Sequence, residues 1–251
     1  MVKILVNGCS HSEAHIPDIE DPLSGIPWPT ILGDLLKANV FNMSRSGKAN
    51  NVIVEETIRY LINEQDINHV VIQLTEFSRL NFFREKYSFA WIPGDVSSQL
   101  NIRPNNFYVK PETDDIFVRR VTDNISYHAS IGDKSLIYDI ITLGTLVNCL
   151  SVMCKQRNIG LTIISYYLIG DSIEDEVWNS IPEESFLVKN RRYGIQDHFT
   201  REFQLPDGGH FEQKFHYHLA KLVSNHINNK TQIIVNTESY NRNKIIYNYT
   251  N

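Results

Sequence analysis

Two unbroken apolar runs constrain this chain most: "HVVIQL" at residues 69–74 and "LTIISYYLI" at 161–169. A strand with one wet face alternates apolar and polar side chains. Continuous runs of this length belong instead to strands covered on both faces, the pattern of a parallel sheet between helices. Residues 2–6, Val2 to Val6, form a third such run, which Gly8 ends, and "VFNMS" at 40–44 is strand-like. Helical signals lie between them. "TILGDLLKAN" reads as a short helix of about ten residues. "VIVEETIRYLINEQ" keeps Ile58, Leu61 and Ile62 at helical spacing. Over residues 135–157, Ile137, Ile140, Leu143, Val147 and Leu150 mark a long amphipathic helix that ends near Gly160. "HFEQKFHYHLAKLVSNHI" closes the series with a last helix. Strands alternating with helices predict an α/β fold whose sheet is mostly parallel, with right-handed crossovers.

The 251 residues are 42% hydrophobic, enough for the core of one large domain. Two stretches break the alternation. Residues 81–134 are aromatic and turn-rich with short β-like runs, and read as an insertion. Residues 170–206 read as an irregular loop with acidic "DSIEDE" and basic "KNRR" segments. The expected organisation is a single domain over 1–228 with the 81–134 insertion, followed by an Asn-rich tail at 229–251. That tail has one β-like run, "TQIIVN". The formal charge is −5, from 24 basic and 29 acidic residues, and no basic block offers electrostatic capture of nucleic acid. No stretch approaches the ~20 apolar residues that span a bilayer, and "VKILV" is too short for a signal peptide. Three cysteines, Cys9, Cys149 and Cys154, have no framework spacing. These features predict a reduced, cytoplasmic protein without a membrane or nucleic-acid partner. Cys149 and Cys154 are expected to pack within their helix.

In parallel α/β folds the ligand lies beyond the carboxyl ends of the strands. The turns holding Ser10, Gly47 and Thr75 all fall on that edge. The first of them, "GCSHSEAH", carries Ser10, Ser12, His11 and His15, and is either a plain hydrophilic turn or the seat of a nucleophile. A serine nucleophile needs a base in hydrogen-bond reach, and the base needs a carboxylate to orient it. "LPDGGHFEQKFHYHLA" offers Asp207 and His210, three apart and just before the last helix. The bland alternative is a helix N-terminus with Asp207 capping and His210 at the surface. His210, His216 and His218 lack a Cys or carboxylate at ligand spacing, so a metal site is not predicted.

Together, these stretches resemble the SGNH (GDSL-like) hydrolase family. "GCSHS" matches the family's first block, "SRSGKANN" its glycine block, and "DGGHFEQKFHYHLA" its Asp-x-x-His block with His216 and Ala220 flanking. The resemblance implies a three-layer α/β/α sandwich with a flavodoxin-like sheet. It also implies a Ser10–His210–Asp207 triad and an oxyanion hole from the Ser10 and Gly47 amides with Thr75. No metal or cofactor is required, and the implied substrate is a small acyl ester, as on a carbohydrate. Two positions depart from the pattern: Cys9 replaces an aspartate, and Thr75 in "QLTE" replaces the oxyanion asparagine. A threonine hydroxyl can donate a hydrogen bond, but with different reach and direction. Asn50 is expected to cap a helix, orient the Gly47 turn or contact substrate. Arg79 is expected to form a surface salt bridge or to bind an acidic substrate group. The alternative function is a weak or inactive binding or structural protein on the same fold.

Overall fold

The computed structural model describes residues 1–13, 25–45, 48–75, 133–165, 178–189, 194–195 and 213–234, together with the backbone of three short strands between 80 and 104; within 133–140 only the backbone is described. Four parallel strands form the central sheet: β1 (Lys3–Asn7), β2 (Asn39–Asn42), β3 (His69–Leu74) and β7 (Gly160–Ser165). Their order is β2-β1-β3-β7. Helices α1 (Trp28–Leu36), α2 (Asn50–Asn63), α3 (Asp133–Gln156) and α4 (Gln213–Asn229) complete the body. The predicted α/β class and parallel sheet are therefore observed. Between residues 80 and 104 the backbone carries an antiparallel sheet of β4 (Leu80–Arg84), β5 (Tyr87–Trp91) and β6 (Arg103–Pro104).

Side-chain alternation sorts the strand residues into two cores. Ile4, Val6, Val71 and Ile164 join Trp28 and Leu32 of α1 and Phe215, Leu219 and Val223 of α4. Leu5, Val70, Ile72 and Ile163 join Ile53 and Leu61 of α2 and Leu143, Val147 and Leu150 of α3. Every residue of β3 is buried, as its unbroken apolar run requires. β2 is the open edge, and three of its four residues are exposed.

Sequence reading placed two features differently. Residues 186–188 are not plain loop. Phe186 bridges Ile163 in parallel, and Val188 in turn bridges Ile233, so the sheet continues past β7. These are single bridges, too short for any periodicity to announce. Ile233, in the β-like "TQIIVN" run, donates its amide to Leu187 O and accepts from the Lys189 amide. Cys149 does not pack inside its helix but lies exposed, while Cys154 is buried as expected and its thiol is pushed up to about 12 by burial. Among the described residues no helix is long and apolar enough to cross a membrane.

The amino ends of β3 and β7 hold a buried histidine. His69 Nε2 lies 2.8 Å from Thr162 Oγ1. Its ring crosses Gly160, its register partner, where any Cβ would collide with the imidazole. Burial, helped by the charges of Lys230 and His226, pushes His69 down from 6.5 to about 3. The folded state thus holds the ring neutral while the unfolded chain binds a proton, so stability falls as pH drops from about 6.5 toward 3. His69→Gln should flatten that limb in urea unfolding measured across the same pH range. Gly160→Ala should cost about 1–3 kcal/mol through overpacking.

Candidate functional site at the carboxyl edge of β1 and β3

β1 and β3 are neighbours, yet the chain leaves β1 toward β2 on one side and β3 toward β7 on the other. Their carboxyl ends therefore flank the switch point where ligands of such sheets bind. Ser10 follows β1 on a turn closed by Ser12 N donating to Cys9 O at 3.0 Å, and Thr75 follows β3 directly. Ser10 retains 6% exposure, whereas Ser12 and Thr75 are fully buried. His11, in the same turn, is also buried.

The turn is tight because Gly8 lies against β3. A Cβ on Gly8 would sit 2.9 Å from both Gln73 Cβ and Ser12 Oγ, closer than atoms can pack without displacement. Ser12 is structural: its hydroxyl contacts Gln73 Oε1 and accepts from Trp28 Nε1 at 2.9 Å. Its backbone carbonyl accepts from Asn42 Nδ2 at 2.6 Å. Of the two serines, Ser10 is the one whose hydroxyl these contacts leave available.

β1 ends on a buried amide, Asn7. Its Nδ2 donates to Ile53 O at 2.9 Å and Thr57 Oγ1 at 3.1 Å, which ties the strand end to α2. Its Oδ1 accepts from Lys48 Nζ at 2.9 Å. That ammonium also donates to Met43 O and pairs with Glu56. The Lys48 side chain is only 2% exposed. Burial lowers it from the usual lysine range, against the pull of Glu56. Lys48 thereby clasps the segment between β2 and α2 to the end of β1.

Asn50 is not a side-chain cap. Ala49 holds the cap position of α2 without a side-chain hydrogen bond. Asn50 instead grips the Thr75 backbone: Thr75 N donates to its Oδ1 at 2.7 Å, and its Nδ2 donates to Thr75 O at 3.1 Å. This positions Thr75, whose hydroxyl has no hydrogen-bond partner. Gln73 Nε2 and Ser44 Oγ, beside the same edge, are likewise buried and unpaired. Each such atom costs about 1–3 kcal/mol when left unsatisfied.

On the other flank, the first turn of α4 is docked onto the segment before α1. Gln213 Nε2 donates to Ile26 O at 2.9 Å, and Trp28 N donates to His216 Nδ1 at 3.3 Å. Trp28 thus joins α4 to the Ser10 turn through Ser12. Gly47, Arg79, Asp207, His210 and His15 lie outside the described residues. Among the described residues no group of His, Cys, Asp or Glu could hold a metal ion.

No protein-family model and no curated protein matches this chain.

The residues that sequence reading passed over are Asn7, Trp28, Lys48 and Gln73. The one available signal was weak: Asn7 and Gln73 are polar residues within or closing apolar strand runs, where a buried side chain must find a partner. Lys48→Met should destabilise the fold by about 1–3 kcal/mol, since Asn7 Oδ1 loses its donor while half-exposed Glu56 regains water. Gly8→Ala should be destabilising by a similar amount, and both are checked by chemical denaturation.

Proposed function

We propose that the protein is a serine ester hydrolase of the SGNH type, cleaving a small acyl ester such as an acetylated carbohydrate. The observation that carries this reading is Ser10 on the turn after β1 at the β1–β3 switch point, with Thr75, held by its backbone and carrying an unpaired hydroxyl, at the end of the neighbouring strand. In this mechanism His210 takes the Ser10 proton as Oγ attacks the ester carbonyl. The carbonyl oxygen gains the negative charge, which the Ser10 and Gly47 amides and the Thr75 hydroxyl hold. His210 then protonates the departing alcohol, and activates water to release the acid from Ser10. Asp207 orients His210 and stabilises its imidazolium.

The docking of α4 supports the assignment of the base. His210 precedes Gln213 by three residues, a reach of at most about 11 Å. Gln213 and His216 are tied through Ile26 and Trp28 to the Ser12 side of the nucleophile turn. Arg79 is available in sequence for an acidic substrate group, and Asn50 acts through Thr75.

Incubation with a fluorophosphonate should give a covalent adduct on Ser10, lost in Ser10→Ala and His210→Ala. Folded protein without an adduct would refute the hydrolase and leave a binding protein on this fold. Asp207→Asn should retain weak activity, by analogy with the ~10⁴-fold loss in serine proteases. Thr75→Val keeps the side-chain shape and removes the donor. Its kcat should fall about tenfold or more with KM little changed, because the lost bond strengthens in the transition state.

A further inference from the structure

We propose that the Gln73 side-chain amide is a further oxyanion donor, binding the carbonyl oxygen of an acyl ester and the carboxylate of its product acid. The chemistry rests on the hydrolase reading; the site itself rests on the geometry of Gln73.

Gln73 is the fifth residue of β3, fully buried in a strand that otherwise carries only apolar side chains beyond His69. A glutamine there needs a reason. Its Oε1 has one, the contact with Ser12 Oγ. That hydroxyl accepts from Trp28 Nε1, a donor only, which leaves its proton for Gln73 Oε1. The amide orientation follows: Oε1 faces Ser12, and the Nε2 hydrogens face away from it. Nε2 is buried and has no hydrogen-bond partner. An apolar residue would have filled this place without that penalty.

Position completes the case. Gln73 runs beneath Gly8, close enough that a Cβ there would lie 3.2 Å from Gln73 Oε1, and Ser10 follows two residues later. Gln73 is the fifth of the six residues of β3, and Thr75 directly follows the strand. Both unpaired donors therefore lie at the carboxyl end of β3, next to the switch point. A neutral carboxamide suits an oxygen that is uncharged in the substrate and anionic in the transition state. As Ser10 Oγ bonds to the acyl carbon, the C=O π pair moves onto oxygen, and Nε2–H holds it by a hydrogen bond. When the alcohol leaves, the pair returns to re-form C=O. Gln73 gains and loses no proton.

Two measurements test the proposal. Gln73→Met removes both the acceptor for Ser12 and the amide hydrogens, and it should lower kcat on small activated esters by about a hundredfold or more with KM little changed. A folded, esterolytic wild type whose Gln73→Met variant keeps kcat within about twofold overturns the donor role and leaves the hydrolase standing. The second measurement needs neither turnover nor a stable Gln73 variant. In Ser10→Ala, the Gln73 side-chain ¹H–¹⁵N resonances should shift on addition of acetate. Their failure to move overturns the site. A shift in a protein whose parent shows no esterase activity upholds the carboxyl-binding amide and removes the hydrolase reading instead.

Discussion

The carboxamide of Asn7 is the interaction on which the candidate site depends. It stands where β1 stops and the Ser10 turn starts. Each of its polar groups is used: two donors on α2, one acceptor on the Lys48 ammonium. A buried amide is costly unless fully bonded, and stabilising and specific once it is. Here full bonding requires β1, α2 and the segment around Lys48 to meet in one arrangement. The strand end cannot shift along α2 without leaving polar groups unpaired.

The same logic recurs across the edge. Asn50 grips Thr75 by both backbone groups, so the end of β3 is held from α2 just as the end of β1 is. Ser12 gathers Trp28, Asn42 and Gln73 about one residue, so α1, β2 and β3 converge on the Ser10 turn. Against this dense pairing, the unpaired hydroxyl of Thr75 and amide of Gln73 stand out. With Ser44 Oγ, they are buried polar atoms left unsatisfied at the carboxyl edge, the place where parallel sheets bind ligands.

The two ends of the sheet are tuned differently. At the amino end His69 is sealed beneath Gly160 and kept neutral, a packing role with an acid-labile consequence. At the carboxyl end a buried cation, Lys48, is retained with hydrogen bonds and a carboxylate partner. Burial opposes charge at both ends, but only Lys48 has the acceptors and the carboxylate to resist it.

By itself the sequence determined the α/β class, the parallel sheet and the four helices. Those depend on local periodicity, and unbroken apolar runs such as "HVVIQL" have few other homes. It also singled out Ser10 and Thr75 as turn residues on one edge, since the carboxyl ends of parallel strands share a side. Tertiary structure alone decided which polar residues are partners. That Ser12 is structural, that Asn50 holds Thr75 rather than capping α2, and that Lys48 is buried against Asn7 all follow from contacts between residues 16 to 61 positions apart. The short bridges of Phe186 and Val188 were hidden for a related reason. A single residue pair has no period, and its hydrogen bonds exist only once β7 and Ile233 are beside it.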